Sequence, residues 1–198
     1  MIAKLRSADI YGVGGRVVEI EVDLLPGLSN FVISGLPGKG IRESRERIRS
    51  AITHAGFSYP TTHRIVINLA PAAAWEKDGA VFDLPIALGV LLAAGQVRVA
   101  GGEWAAVGEL ALDGRVRSVM GTLGLVQALR KEGAERILVP VENLPEALAV
   151  TGARCGGVTH LRHAAAVLEG TAEAIETGAS AESLPEVVPE FAHVIGHR

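Results

Sequence analysis

A glycine-rich loop occupies the kind of position at which proteins bind phosphate groups. It reads Gly35-Leu-Pro-Gly-Lys-Gly40 and stands between a predicted strand and a predicted helix. The Walker pattern of ATP-binding loops has a glycine five residues before its Gly-Lys pair and a serine or threonine after that pair. This chain has Ile33 and Gly40 at those positions. Because the hydroxyl that would bind magnesium is missing, we predict a turn into a helix N-terminus, which could hold a passing anion but not ATP.

The helix predicted after this loop carries a stripe of positive charge. Three arginines share one face at about 100° per residue: Arg42, Arg45 and Arg49. Such a stripe could meet phosphate groups or a carboxylate-lined partner. The alternative is a solvated face, because Glu46 is spaced to pair with Arg42, and Glu43 with Arg47. The sequence leaves both interpretations open.

Three residues of the second half invite a metal-binding interpretation, but they form no complete ligand set. Cys155, His160 and His163 lack a fourth ligand in sequence, and the two histidines are only loosely spaced as in zinc sites. His193 and His197, near the C-terminus, give no stronger pattern. No Gly-x-Ser-x-Gly elbow anchors a Ser/His/Asp triad. We predict neither a metal site nor a catalytic residue.

Charge and composition limit the possible partners. The 198 residues carry a formal net charge of -3, so any site for a polyanion must be local. The single cysteine excludes an internal disulfide framework. The longest apolar stretch, residues 84–95, is shorter than the roughly 20 residues that a membrane-spanning helix needs. We expect a soluble, cytoplasmic protein with no membrane partner.

The elements that must position these residues alternate between strands and helices. Alternation of apolar and polar residues, with a glycine-rich turn at 12–15, predicts a hairpin of residues 4–11 and 16–25. The rest of the first half predicts a strand at 31–34, a helix at 38–56 and a strand at 64–68. A helix at 83–94, with Asp83 as its N-cap, is predicted next. This order of strands and helices favours an α/β (α+β) fold with a mixed sheet.

The second half has a similar pattern. Asp113-Gly114 predicts a hairpin between strands at 104–112 and 115–119. The residues after this hairpin predict a helix at 122–132, a strand at 136–140 and two helices at 142–150 and 160–168. Beyond Gly170 the apolar periodicity fades. We therefore predict a domain at residues 1–169 and a linker at residues 170–198.

An ordered string of motifs resembles one known family. The motifs are Gly35-Leu-Pro, Arg42-Glu-Ser-Arg-Glu-Arg-Ile-Arg-Ser-Ala51, Asn68-Leu-Ala-Pro71, Lys77-Asp-Gly79, Phe82-Asp-Leu-Pro-Ile-Ala87 and Val107-Gly-Glu-Leu-Ala-Leu-Asp-Gly114. Together, over residues 1–169, they resemble the N-terminal region of the ComM/YifB proteins, which are magnesium-chelatase-like bacterial AAA+ ATPases. The stretch at 191–196 resembles the lead-in to the ATPase module of that family, which would follow in the full protein.

The resemblance implies a Lon-protease-like fold of the ribosomal-protein-S5-domain-2 type whose chemistry has been lost. Lon proteases use a Ser-Lys dyad, and the loop that carries their serine is mirrored by five residues here: Lys77, Asp78, Gly79, Phe82 and Asp83. No hydroxyl occurs from Lys77 through Leu92. Where the dyad lysine is expected, the nearest cations are Arg115 and Arg117, whose guanidinium groups stay protonated and cannot act as bases.

The family also implies a function for the whole protein. Its members are hexameric ATP-driven motors that act on DNA, with branch migration during natural transformation as the best-known role. We therefore expect this chain to be a non-catalytic accessory domain without a cofactor, with ATP and magnesium bound elsewhere in the full-length protein. Its partners would be further copies, through the ATPase module, and weakly and non-specifically bound DNA. The alternative is a divergent Lon-like hydrolase whose nucleophile is Ser118 or Thr122.

Overall fold

The computed structural model describes residues 2–12, 14–72 and 75–176, which form a seven-stranded mixed sheet with helices on both faces and a separate two-stranded hairpin. The strands of this part are β1 (Ala3–Tyr11), β2 (Gly14–Pro26), β3 (Asn30–Ser34), β4 (His63–Ala70), β5 (Trp104–Ala106), β6 (Glu109–Leu110), β7 (Val116–Arg117), β8 (Arg136–Pro140) and β9 (Cys155–Val158). The helices are α1 (Lys39–His54), α2 (Asp83–Ala93), α3 (Thr122–Lys131), α4 (Leu144–Leu148) and α5 (Leu161–Leu168).

The main sheet has seven strands in the order β3-β4-β2-β1-β5-β8-β9. The predicted hairpin of β1 and β2 is confirmed, with Leu5 opposite Ile20 and Tyr11 opposite Gly14. β4 runs antiparallel to β2, whereas β3 pairs with β4 in parallel, and β5, β8 and β9 are also parallel. The mixed sheet and the α+β class are therefore as predicted.

The alternating pattern of β2 sets the two faces of the sheet. Val18, Ile20 and Val22 are fully buried in a core that also contains the apolar faces of α1, α2 and α5. On the opposite face, Val17 packs into a second core with Leu125 and Val126 of α3. Helix α2 lies within the larger core, and its residues are buried from the first to the tenth. An all-round apolar helix can only exist when it is enclosed in this way.

Two predicted elements differ from the structure. The strand predicted at 104–112 is divided into β5, which joins the main sheet, and β6, which pairs with β7 in a separate two-stranded hairpin. The reason is Gly108, whose φ of 157° interrupts the extended run between the two strands. Strand β9 was not predicted at all, because its sequence Cys-Gly-Gly-Val contains two glycines and carries little strand signal.

The predicted boundary at residue 169 and the predicted linker stay predictions. Ile175 still pairs with Gly157 of β9 through two backbone hydrogen bonds of 2.7 and 3.0 Å. Most of the linker, residues 177–198, lies outside the described residues, as do His193, His197 and the motif at 191–196. No helix of the described part has the length and apolar character to cross a membrane.

Candidate functional site

The side chain of Lys77, in the loop between β4 and α2, points into the interior of the protein. Lys77 has no exposed side chain, and its Nζ donates hydrogen bonds to the carbonyl oxygens of Gly35, Pro71 and Trp75 at 3.0, 2.6 and 3.1 Å. Burial lowers the pKa of Lys77, and the nearby Asp9 carboxylate opposes this shift. An ammonium group has three protons to donate, and here three carbonyls accept them. Lys77 therefore ties its own loop to the loop that contains Gly35.

The next residue, Asp78, fills the N-terminus of α1. Its Oδ1 accepts a hydrogen bond of 2.7 Å from the backbone N–H of Gly40, where the helix dipole favours negative charge. A Cβ atom built on Gly38 or Gly40 would lie 2.6 or 2.8 Å from this carboxyl group. Because the glycines of the loop at 35–40 have no side chains, they leave room for the carboxylate of Asp78. The predicted place for a passing anion is already occupied, and the residues there do not fit a magnesium nucleotide.

Gly79 opens the turn that leads into α2, with a φ of 96° that favours glycine. A 3-10 turn, Ala80–Phe82, follows and buries the ring of Phe82 in the larger core. The prediction that Asp83 caps α2 is wrong. Phe82 is the N-cap residue without a side-chain hydrogen bond, and Asp83 is the first residue of the helix.

Asp83 instead forms a buried ion pair with Arg47 of α1. Arg47 Nε donates to Asp83 Oδ2 at 2.8 Å and Nη2 to Oδ1 at 3.2 Å, while the N–H of Leu110 donates to Oδ2 at 3.3 Å. Burial raises the pKa of Asp83, and the hydrogen bond from Arg47 opposes it. The same hydrogen bond raises the pKa of Arg47. The pair locks α1, α2 and the β6 hairpin together, so the expected pairing of Arg47 with Glu43 is wrong.

The arginine stripe lies on the solvent side of α1. Arg42, Arg45 and Arg49 are exposed, while the opposite face buries Ile41, Ser44, Ile48, Ala51 and Ile52. Two exposed ion pairs form on this helix, Glu46 with Arg45 and Glu43 with Lys39, both at 3.7 Å, so the alternative of a solvated, ion-paired face stays open with other partners than the spacing suggested. The guanidinium of Arg49 lies 5.5 Å from the centre of the Tyr59 ring. The stripe therefore keeps its charge at the surface.

The two hydroxyl groups considered as nucleophiles have different surroundings. Ser118 is exposed and lines a cavity together with Asp78 and Gly79. Thr122 is buried and donates its hydroxyl proton to the carbonyl of Val119 at 3.3 Å. Among the described residues, neither lysine nor histidine lines the cavity around Ser118. The nearby arginines are paired, Arg115 with Asp113 and Arg117 with Glu109.

The residues weighed as metal ligands have structural roles. His160 Nδ1 accepts the Arg162 N–H at 3.1 Å and so caps α5, while its Nε2 lies 3.0 Å from the carbonyl oxygen of Asp113. His163 Nε2 lies 3.0 Å from the carbonyl oxygen of Glu173. Burial raises the pKa of the Cys155 thiol to about 11, so the thiolate needed for metal binding is scarce at neutral pH. Within the described part of the chain, no group of three potential ligands is arranged for a metal ion.

Sequence reasoning missed the carboxylates that surround Ser118. Asp9 comes from the end of β1 and Glu109 from β6, and both line the same cavity as Asp78. Asp9 accepts a hydrogen bond from Trp75 Nε1 at 3.3 Å, and burial raises its pKa. No signal in the sequence connects residues about 30 to 100 positions apart. They come together because β1, the loop after β4 and β6 pack around one cavity.

Comparisons with known proteins agree with the motifs. The family model described as subunit ChlI of Mg-chelatase matches residues 20–143. An uncharacterized protein of Mycobacterium tuberculosis is 37% identical over 196 residues, which cover 96% of this chain and 38% of that protein. YifB of Escherichia coli is 38% identical over 160 residues, or 80% of this chain and 31% of YifB. Competence protein ComM of Haemophilus influenzae is 40% identical over 141 residues, or 71% of this chain and 27% of ComM.

A part of the chain is also similar to a protease. The Lon protease of Clostridioides difficile is 32% identical over 136 residues, which cover 66% of this chain and 17% of the protease. The chain thus spans less than two fifths of the length of each of these relatives.

Proposed function

Because this chain belongs to the ComM/YifB family of magnesium-chelatase-like proteins, we propose that it serves as a non-catalytic accessory domain of an ATP-driven DNA motor. In this proposal the domain guides DNA to the motor or helps assemble its ring in the cytoplasm. The longer protein would bind ATP and magnesium in a separate ATPase module and form a hexamer through that module. The name of the Haemophilus relative, competence protein, agrees with a role in handling DNA.

The observation that carries the proposal is the exposed arginine stripe of α1. The helix holds five cationic residues and two glutamates, in a chain whose net charge is -3. Only Arg47 of the five is turned inward, toward Asp83. Arginines on an exposed helix reach phosphate oxygens before base edges, so binding would be non-specific and sensitive to salt.

The inward position of Lys77 supports a non-catalytic role. Its Nζ donates to three carbonyl oxygens, and Lys77 is not among the described residues that line the cavity with Ser118. The glycine loop, filled by Asp78, supports the placing of ATP elsewhere in the longer protein. The hydrogen bonds of Lys77 and the contact of Asp78 also hold the loop that leads into α1, the helix that carries the arginine stripe.

Fluorescence anisotropy with labelled single- and double-stranded oligonucleotides at low salt tests this role. Wild type should bind with a Kd no better than about 10⁻⁴ to 10⁻⁶ M, the range of non-specific binding. The variant Arg42→Ala/Arg45→Ala/Arg49→Ala should lose this affinity. A matched control, Arg64→Ala/Arg98→Ala/Arg154→Ala, removes the same charge from exposed positions on other elements and should retain it. Equal losses in both variants would refute a specific role of the stripe.

The alternative function is a divergent hydrolase, which one observation favours: Ser118 lines a cavity beside the loop that resembles the protease site. A hydroxyl nucleophile needs an adjacent base, and neither lysine nor histidine lines that cavity among the described residues. Casein and fluorogenic peptides should therefore not be cleaved. Turnover that disappears in Ser118→Ala or Thr122→Ala would favour the hydrolase instead.

A further inference from the structure

A groove of about 640 Å³ lies between α3 and the loop after β4. Strand β2, the loop that carries Pro71 and Trp75, and the end of α3 at Lys131 form its lining. Its size is within the range of sites that hold a small ligand or several peptide side chains. No residue of α1 lines this groove, so it is separate from the arginine stripe.

Arg16, which lines the groove, is held by aromatic rings and not by a carboxylate. Its guanidinium carbon lies 3.2 Å from the centre of the Tyr11 ring and 5.1 Å from that of the Trp75 ring. Within the described part of the chain, the guanidinium donates no hydrogen bond and forms no ion pair. A guanidinium has five N–H donors, so Arg16 can still bind an acidic group.

The other charged residues of the lining leave the groove positive. Arg6 is paired with Glu103 at 2.9 Å, and Glu19 with Lys4 at 3.1 Å. Lys131 is exposed, and its side chain has no ion pair or hydrogen bond among the described residues. Arg16 and Lys131 thus face one remaining carboxylate of the lining, the exposed Glu132. This balance favours an acidic ligand.

The uncharged part of the lining favours proline. Trp75 is half-buried and Pro71 is exposed, and Val17 and Ala128 add apolar surface. Proline-rich segments bind in grooves lined by aromatic side chains, because the proline ring packs on an aromatic face and its fixed φ lowers the entropy cost of binding. The groove is therefore suited to a segment that combines proline with carboxylates.

The chain itself contains such a segment at residues 182–190, outside the described residues. It reads Glu-Ser-Leu-Pro-Glu-Val-Val-Pro-Glu and has no lysine or arginine. A Pro-Glu pair occurs in it twice, as Pro185-Glu186 and as Pro189-Glu190. The segment thus offers the two chemical groups that the groove is suited to bind.

The length of the chain allows this segment to reach the groove. Ile175 pairs with Gly157 of β9 and packs against the second core, to which α3 also belongs. In the order of the sheet β2 is four strands away from β9, which is about 19 Å. The chain from Glu176 to Pro185 can span up to about 30 Å when extended.

We propose that residues 182–190 bind in this groove of the same chain. One Pro-Glu pair would place its proline on Trp75 and its carboxylate at Arg16, and the carboxylate of the other pair would bind Lys131. Helix α1 packs in the larger core on the opposite face of the sheet, so the bound segment leaves the arginine stripe free. The proposal goes beyond the DNA contact and does not depend on it.

Limited proteolysis of the whole chain with a glutamate-specific protease tests the proposal. The bound segment is protected, so Arg16→Gln/Lys131→Gln should be cleaved after Glu186 and Glu190 about three- to tenfold faster than wild type. The matched control Arg64→Gln/Arg98→Gln removes the same charge from exposed positions outside the groove and should be cleaved at the wild-type rate. Mass spectrometry measures the rates, and circular dichroism with thermal melting verifies that each variant is folded.

Fluorescence quenching by acrylamide locates the contact from the side of the segment. In a Trp104→Phe background, Trp75 is the single tryptophan, because the chain has two. Glu186→Gln/Glu190→Gln should increase the quenching of Trp75, since the weakened segment covers the ring less. Glu135→Gln/Glu142→Gln, at exposed positions outside the groove, should leave the quenching unchanged.

Three results would overturn the proposal. The first is equal cleavage of wild type and the folded Arg16→Gln/Lys131→Gln variant, and the second is unchanged quenching of Trp75 in Glu186→Gln/Glu190→Gln. The third is protection that increases with protein concentration, which would assign the segment to the groove of a second copy. None of these results bears on DNA binding by the stripe, so the two proposals can fail separately.

Discussion

At the residue scale, the loop at 77–83 holds charged groups that stabilise the fold. Lys77 binds carbonyl oxygens, Asp78 binds the N-terminus of α1, and Asp83 binds the partly buried guanidinium of Arg47. Burying the charge of Lys77 or Asp83 is costly, and the hydrogen-bond partners offset part of that cost, so removing one partner leaves the others without compensation. Mutations in this loop should therefore change stability first.

Lys77→Met should lower the free energy of unfolding by about 2–4 kcal/mol, because methionine keeps much of the volume but leaves the carbonyl oxygens of Gly35, Pro71 and Trp75 without this donor. The matched control is Lys39→Met, since the Lys39 side chain is 85% exposed and, within the described part of the chain, forms an ion pair with Glu43 at 3.7 Å. It should change stability by no more than about 0.5 kcal/mol. Urea denaturation measures both values. Equal losses of stability in Lys77→Met and Lys39→Met would contradict the conclusion that the buried Lys77 holds its surrounding loops together.

Asp9 predicts a dependence of stability on pH. Burial raises the pKa of Asp9 in the folded protein above its ordinary value of 3.8, so between these two values the folded state binds more protons than the unfolded state. Its contribution to stability is therefore greatest at low pH and is lost as pH rises through the folded pKa. In Asp9→Asn this loss is absent, and the amide oxygen can still accept from Trp75.

The measurement compares urea denaturation of wild type and Asp9→Asn at several pH values from about 4 to 7. The stability of the variant relative to wild type should improve as pH rises. Glu142→Gln, at an exposed position, should show no such trend. A difference between Asp9→Asn and wild type that is constant with pH would contradict the argument from burial.

At the element scale, the pattern of residues predicted most of the fold and less of the site. Period-2 alternation predicted the β1–β2 hairpin, and helical spacing predicted α1 and α3 close to their observed limits. The weak strand β9 lies beside β8 because of tertiary pairing, which its Gly-Gly sequence does not encode locally. Asp83 was misassigned because the competing donor, Arg47, lies 36 positions away.

The same limit applies to the candidate site. Resemblance to a family identified the loop from Lys77 to Asp83, but it did not predict that Lys77 and Asp83 point inward. Nor did it predict that Asp9 and Glu109 share a cavity with Asp78. Such contacts depend on how separate elements pack, and a single sequence carries no local pattern for them.

Helix α1 makes a prediction about glycine. Replacing a helical glycine by alanine ordinarily stabilises a protein by about 0.5–1 kcal/mol. Gly40→Ala should instead destabilise this chain by about 1–2 kcal/mol, because the added Cβ would lie 2.8 Å from Asp78 Oδ1, which is held by the Gly40 N–H, and 3.1 Å from the backbone nitrogen of Gly79. Gly124→Ala in α3 is the matched control, since its Cβ would meet its nearest atom at 3.6 Å. Thermal melting that shows a gain for both variants would exclude the close packing of Asp78 on α1.

At the scale of the whole molecule, the fold separates the arginine stripe of α1 from the cavity beside the loop at 77–83. The outer face of α1 carries the arginine stripe, whereas the cavity between β1, β6 and α3 is lined by carboxylates. The buried pair of Arg47 and Asp83 fixes α1 against α2, which lies within the larger core. The positive face is therefore presented on a rigid support, as a surface that receives a phosphate backbone requires.

The most direct test of the accessory role is the salt dependence of DNA affinity. Wild type should give a log-log slope of roughly 2 to 3 in magnitude, as expected when three phosphate contacts release counterions. The triple variant of Arg42, Arg45 and Arg49 should lose most of that slope, while the control variant of Arg64, Arg98 and Arg154 keeps it. If wild type does not bind DNA at low salt, or if the triple variant keeps the full slope, the stripe does not contact DNA and this account of the domain is wrong.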